Sequence, residues 1–223
     1  MDGPSMGISG TGSGLLDLDA LARATLEHEP FDFTVVPGFL RPEAAASVER
    51  DFPRIDTPGS YPPSTLRSGP AFRALIDELR GPDLAQALGR KLGLDLGGLP
   101  TMLTVRGHTG PHDGRIHFDR RGKVVTALLY FNRDWQEKTG WLRMLRSPDN
   151  LEDYAAEVPP EMGTLLVFRC TDNAWHGHKK FVGQRRAIQL NWVNSRLMCW
   201  YEQGRHWQSA VAKRLLAGAS PAA

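Results

Sequence analysis

The second half of the chain is a succession of short apolar and β-branched runs, TMLTV, KVVTALLYF, WLRML, TLLVF and RAIQLNWV, separated by Gly, Asp, Asn and Pro. Several such strands at close spacing predict a β-sandwich or jelly roll rather than alternating β and α units. Ahead of them the pattern is different. Residues Leu15 to His28 carry leucines and alanines at helical spacing, and RPEAAASVERDF reads as a helix with Pro42 in its first turn. Between these two lies FDFTVVPGF, a strand ending in a Pro-Gly turn. Residues 57–70 read as loop, and a second helical region covers Ala71 to Leu92, broken near Gly81-Pro82. Helices first and strands after predict a mainly β, α+β protein, an antiparallel β core with N-terminal helices packed on it.

At 223 residues the chain is long enough to bury a sizeable core in one domain. The predicted organisation is a disordered Gly/Ser-rich tail over 1–14 and a single domain over 15–223. Within that domain, helical support covers 15–99, the β core covers about 100–196 and a C-terminal helix covers 205–217. A formal net charge of +2 argues against a partner bound by phosphate neutralisation, so no nucleic acid is expected. No run of 18 or so apolar residues predicts a membrane span. The two cysteines, Cys170 and Cys199, make no disulfide framework, and a cytoplasmic protein is expected.

The chemistry concentrates in two places. His117-Phe118-Asp119 stands just before KVVTALLYF, and WHGH, with His176 and His178, follows TLLVF. If 117–119 is strand, residues i and i+2 point the same way, and an imidazole and a carboxylate face one centre. A distant histidine on a neighbouring strand would complete two histidines and one carboxylate, the ligand set of non-haem Fe(II) oxygenases, with coordination positions left open. A zinc site built from His176, His178 and a cysteine is the competing arrangement, on poorer spacing. Alternation does not choose between His176 and His178.

Arg185-Arg186 open the last strand. Alternation puts Arg185, Ala187, Gln189 and Asn191 on one face and Arg186, Ile188, Leu190 and Trp192 on the other. The large apolar face suits packing under helices, and the small polar face suits a ligand cavity, with Arg185 on it. A guanidinium there would be a planar, permanently charged fork for a carboxylate.

Together, HFD, YFN-x-DW, the G-x-LR strand and the H-x(8)-R-x-A-I spacing, spread over about residues 100–194, resemble the Fe(II)/2-oxoglutarate-dependent oxygenases. The likeness is to their prolyl-hydroxylase-like branch. That resemblance implies a double-stranded β-helix (jelly roll) with iron held by His117, Asp119 and His176. Arg185 would pair with the distal carboxylate of 2-oxoglutarate, and Tyr130 would hydrogen-bond it. The spacing to the arginines, read against the family, selects His176 over His178 as the ligand and leaves His178 at the mouth of the site.

The implied activity is that of a dioxygenase using Fe(II), 2-oxoglutarate and O₂, with ascorbate as a supporting reductant. It would hydroxylate an unactivated C–H bond and release succinate and CO₂. The substrate stays open among protein residues, amino acids and small metabolites. A non-catalytic metal- or ligand-binding jelly roll and a nucleic-acid demethylase of the same superfamily are the rival readings. Two departures from the family stand out. No tyrosine lies between Arg106 and Ile116, where Arg106, His108 or His112 would fill the space near the metal. Thr139-Gly140 replaces the usual paired glycine, and both departures are expected to touch the substrate side.

Overall fold

The computed structural model describes residues 14–120, 122–197, 199–200, 204 and 207–208. The tail over 1–14 and the C-terminal helix over 205–217 fall almost wholly outside the described residues.

Two antiparallel sheets face each other. In chain order the strands are β1 Phe33–Val36, β2 Thr101–Thr109, β3 Lys123–Tyr130, β4 Leu142–Leu145, β5 Tyr154–Val158, β6 Leu165–Arg169, β7 His176–Gly177 and β8 Gly183–Val193. The five-stranded sheet runs β1-β6-β3-β8-β2, and the three-stranded sheet runs β5-β4-β7. Neighbours in each sheet that are not consecutive in sequence give the crossovers of a jelly roll.

Four helices, α1 Leu18–Arg23, α2 Pro42–Asp51, α3 Pro70–Leu79 and α4 Pro82–Leu92, come before β2. Proline opens α2, α3 and α4, where its missing N–H costs nothing and its fixed φ already suits a helix. Gly93 ends α4 at φ 63, a left-handed conformation that a Cβ would strain. The first helix is far shorter than the periodicity over Leu15 to His28 predicts. Asp17 caps it through the Ala20 N–H at 2.8 Å, while the Glu78 carboxylate accepts the Leu15 and Leu16 N–H groups. Residues on either side are drawn into single β-bridges, Leu16 to Leu40 and Glu27 to Phe33. Tertiary hydrogen bonds thus take the backbone groups that a longer helix would need.

The large sheet is buried on both faces, and alternation sorts its side chains. Val125, Ala127 and Leu129 of β3, Leu165 and Val167 of β6, and Ile188, Leu190 and Trp192 of β8 pack against Phe72, Leu75, Leu84 and Leu88 of the helices. Each such side chain removed from water contributes roughly 1.5–3 kcal/mol. The opposite faces give a second cluster between the sheets, with Tyr130, Leu142, Met144, Leu166, Phe168 and Ala187. Polar groups share this inner face: Thr126, Arg185 and Asn191 are buried there. Strand β5 lies inside a stretch with no readable strand pattern; it is a half-buried edge strand, and YAAEV lacks the apolar alternation of the central strands.

Candidate active site

The strand expected for residues 117–119 does not form. His117 instead makes one antiparallel bridge to His176, with N–H···O distances of 3.0 Å and 2.9 Å in the two directions. That pair extends the small sheet past β7 and stacks the two imidazoles with ring centroids 4.3 Å apart. Asp119 then turns inward from irregular backbone. One donor atom from each of His117, Asp119 and His176 lies within 4.8 Å of the others. His176 and Asp119 are buried while His117 is exposed, so the cluster is open to solvent on the His117 side.

Backbone carbonyls orient both rings. His117 Nδ1 donates to the Arg115 carbonyl and His176 Nδ1 to the Ala174 carbonyl, each at 2.9 Å. With the proton held at Nδ1, each Nε2 keeps a lone pair for a metal. Burial, followed by the charge of His117, pushes the His176 pKa from 6.5 down to about 4, so the ring stays neutral and ligand-ready.

Asp119 is the most heavily braced residue of the cluster. Lys123 Nζ donates to Oδ1 at 2.7 Å, and the Thr126 hydroxyl donates to Oδ2. The Asn191 amide in turn donates to Thr126 Oγ1 at 2.6 Å. Burial alone would raise the Asp119 pKa. The charges of Lys123 and His176 and the two side-chain hydrogen bonds outweigh it and hold the carboxyl below its usual range. Asp119 is therefore an anion before any metal arrives. Cys170 lies 3.8 Å from Oδ2; burial and that carboxylate push its thiol pKa up to about 12, which keeps it an unreactive thiol. The arrangement with His176, His178 and a cysteine is not the one assembled: among the described residues the clustered donors are His117, Asp119 and His176.

A cavity runs inward from the two histidines between the sheets. Arg106, Thr126, Tyr130, Leu142, His178 and Arg185 are among its lining residues. Arg185 Nε donates to the Gly140 carbonyl at 2.8 Å, and its guanidinium lies 5.1 Å from the centre of the Tyr130 ring. Arg185 Nη2 and Tyr130 OH are buried with no hydrogen-bond partner among the described residues. Burial raises the Tyr130 pKa and lowers that of Arg185, yet a guanidinium stays charged in any protein. A buried cation and a buried hydroxyl without partners are costly, and a carboxylate placed between them would satisfy both. Arg186 points to the other face, with its guanidinium 5.5 Å from the Phe52 ring centre.

The structure narrows or corrects three expectations. His178 is not a surface residue: it is 7% exposed and lines the cavity, with Nδ1 donating to the Lys179 carbonyl. Burial, then the charges of Arg185 and Arg106, pull its pKa down to about 4. Gly114, at φ 91, makes the room, since a Cβ there would come within 2.6 Å of His178 Nδ1. The second concerns the missing tyrosine: Arg106 lines the cavity, His108 binds its neighbour's carbonyl and His112 is exposed. The third concerns Thr139-Gly140. Gly140 holds Arg185 through its carbonyl at φ 80, so this departure bears on the arginine and not on the substrate side alone.

Sequence reasoning missed Lys123, Thr126 and Asn191, which brace Asp119. Period-2 alternation would have placed Thr126 beside Tyr130 on the inner face of β3, but nothing in the chain's pattern announces the pairing with Asp119.

Two histidines and one carboxylate gathered at the end of a jelly roll are a donor set that suits a non-haem Fe(II) ion. Residues 101–194 match the model of the 2OG-Fe(II) oxygenase superfamily. The superfamily uses Fe(II), 2-oxoglutarate and O₂, and the three clustered donors fit such an ion. The fold is similar to a prolyl 4-hydroxylase of Phytophthora capsici, at 17% identity and a TM-score of 0.53, over 83% of this chain and 68% of that one. Looser likenesses are to a Pseudomonas putida prolyl-4-hydroxylase (22% identity, TM-score 0.46, 80% and 93% covered) and a Trichoplax adhaerens prolyl hydroxylase (18%, 0.46, 73% and 83%). No curated protein matches the chain in sequence. Among the described residues, no helix is long and apolar enough to cross a membrane.

Proposed function

We propose that the protein is an Fe(II)- and 2-oxoglutarate-dependent dioxygenase that hydroxylates an unactivated C–H bond, releasing succinate and CO₂. The observation that carries this reading is the cavity itself: two histidines of the three-donor cluster line it, and Arg185 Nη2 and the Tyr130 hydroxyl stand in it without partners among the described residues. The bound iron and 2-oxoglutarate would supply the oxidising chemistry. Iron would be held by His117 and His176 through Nε2 and by Asp119 through one carboxylate oxygen. Lys123 and Thr126 keep that carboxylate ionised and fixed in orientation. Arg185 and Tyr130 would take the distal carboxylate of 2-oxoglutarate, and Gly140 fixes the guanidinium plane that meets it. Leu128, Leu142 and Ala187 give that end of the cavity apolar walls that exclude water. The exposed side of His117 leaves the approach for O₂ and substrate. A carboxylate at position 119 disfavours halogenation, because a halide would need the coordination position that Asp119 fills.

The test is succinate formation by purified protein with Fe(II), ascorbate and 2-oxoglutarate, screened over candidate substrates. Slow uncoupled succinate release, accelerated by a true substrate, is expected. Bound metal with no succinate under any condition would return the protein to the non-catalytic reading.

A further inference from the structure

We infer that Arg106 forms a second carboxylate-binding pole in this cavity, one that receives a free carboxylate of the primary substrate. The inference rests on the oxygenase reading above and adds a substrate class to it.

Strand alternation puts Leu103 and Val105 in the core against the helices and turns Arg106 to the inner face. There Arg106 pairs in register with Ala187, two residues along β8 from Arg185. Its Nη2 donates to Asp113 Oδ1 at 2.8 Å, and the Gly110 N–H donates to Oδ2 of the same carboxylate at 2.8 Å. The guanidinium is thus pinned, yet its Nε is buried with no hydrogen-bond partner among the described residues. Five buried side-chain polar atoms among the described residues have no partner, and three of them, Arg106 Nε, Tyr130 OH and Arg185 Nη2, belong to this one cavity. The adjacent Arg185 and Tyr130 can share one carboxylate, that of 2-oxoglutarate. Arg106 is left over.

Charge balance points the same way. Arg106, Arg185 and Lys123 outnumber Asp113 and Asp119 by one. Iron(II) and the 2-oxoglutarate dianion cancel each other, so the loaded cavity keeps a net positive charge. Asp113 pairs one edge of the Arg106 guanidinium, and the buried Nε–H still lacks an acceptor, which a carboxylate would supply. The side chain is 27% exposed, so this pole is not sealed from solvent and a substrate can reach it.

The experiment uses the full chain loaded with Mn(II) and 2-oxoglutarate without oxygen. Free L-amino acids, their carboxamides and an end-blocked tripeptide with a central Asp are titrated by calorimetry. At least one carboxylate-bearing probe should bind tenfold or more tighter than its amide or Asn counterpart, the size of a lost charge-assisted hydrogen bond. The free acids and the blocked peptide distinguish a small acid from an acidic side chain as the source. Arg106→Gln should erase the difference, Arg106→Lys should restore part of it, and 2-oxoglutarate affinity should stay within about threefold in both. The inference is overturned if acids and amides bind alike, if no carboxylate binds, or if the difference survives in Arg106→Gln. It is also overturned if Arg106→Gln weakens 2-oxoglutarate tenfold, since Arg106 then serves the cosubstrate. Should Arg106→Gln fail to fold, the wild-type acid–amide comparison and Arg106→Lys still decide. Failure of the wild type to bind Mn(II) and 2-oxoglutarate at all would instead defeat the oxygenase reading.

Discussion

Replacing Arg185 with Met should weaken ligand affinity while leaving ligand-free stability nearly unchanged, which separates a binding arginine from a structural one. Arg185 is 6% exposed, makes one hydrogen bond through Nε to a carbonyl, and has no carboxylate hydrogen-bonded to it among the described residues. Removing one partner of a satisfied buried ion pair costs about 3–5 kcal/mol, because the other charge is left alone. Here the charge itself leaves, taking its desolvation cost with it, and Met fills much of the volume. The lost hydrogen bond to Gly140, about 1.5–3 kcal/mol for a charged donor, is offset by several kcal/mol of relieved burial. Ligand-free stability should therefore change by no more than about 1 kcal/mol, or roughly 2–4 °C in Tm for a chain of this size.

The effect on 2-oxoglutarate should be larger. Losing the charge-assisted bonds from a buried site costs about 1.5–3 kcal/mol, roughly ten- to a hundredfold in affinity. At a ligand concentration 100 times the wild-type Kd, the Mn(II)-loaded protein gains about 2.7 kcal/mol from 2-oxoglutarate, and the variant should gain only about 0.4–1.4 kcal/mol. Differential scanning calorimetry, with and without 2-oxoglutarate, reads both quantities. Arg186→Met is the control: it loses a cation–ring contact of about 0.5–1 kcal/mol and should keep the full ligand shift. A ligand-free loss of 3 kcal/mol or more in Arg185→Met, with the ligand shift intact, would refute the reasoning and make Arg185 a structural anchor. A larger ligand effect from Arg186 would put the strand register off by one.

His176→Ala should lose most of its bound iron and succinate formation, whereas His178→Ala should keep its iron; metal analysis of the two variants checks this, and the reverse would move the ligand to His178. Thr126→Val strips Asp119 Oδ2 and the Asn191 amide of their shared partner, and Mn(II) affinity should fall roughly 10–100-fold, read by equilibrium dialysis. His176 and His178 both have pKa values lowered from 6.5 to about 4, so the unfolded chain binds protons more readily than the fold. Metal-free stability should be full above pH 6.5 and fall as the pH drops towards 4, by up to ~1.4 kcal/mol per pH unit for each histidine, measurable by denaturant titration across that window. Gly114→Ala meets a left-handed φ and the His178 ring together; a loss of roughly 1–3 kcal/mol in the same titration is expected, and an unchanged midpoint would mean His178 can move aside at no cost.

The alternation along GQRRAIQLNWV was enough to read the face that Arg185 shares with Ala187, Gln189 and Asn191, because backbone pleating imposes a period of two whatever the rest of the chain does. The helix break at Gly81-Pro82 and the opening of α2 at Pro42 were legible for the same reason: proline acts on its own φ and its own missing N–H. The succession of strands, a property of order along the chain, pointed to a β-sandwich or jelly roll, and the family resemblance chose the jelly roll.

What depended on contacts between distant segments was not legible. The YAAEV edge strand exists because β4 offers it an edge, and α1 stays short because Leu16 on one side and Glu27 on the other are drawn into β-bridges with Leu40 and Phe33. His117 meets His176 through one β-bridge rather than along a strand of its own. His178 is buried because Gly114 has no Cβ to exclude it. Local periodicity can say which way a side chain points from its own strand. Only packing decides which residue of another strand stands opposite, and that is where Lys123 finds Asp119 and Arg106 enters the cavity beside Arg185.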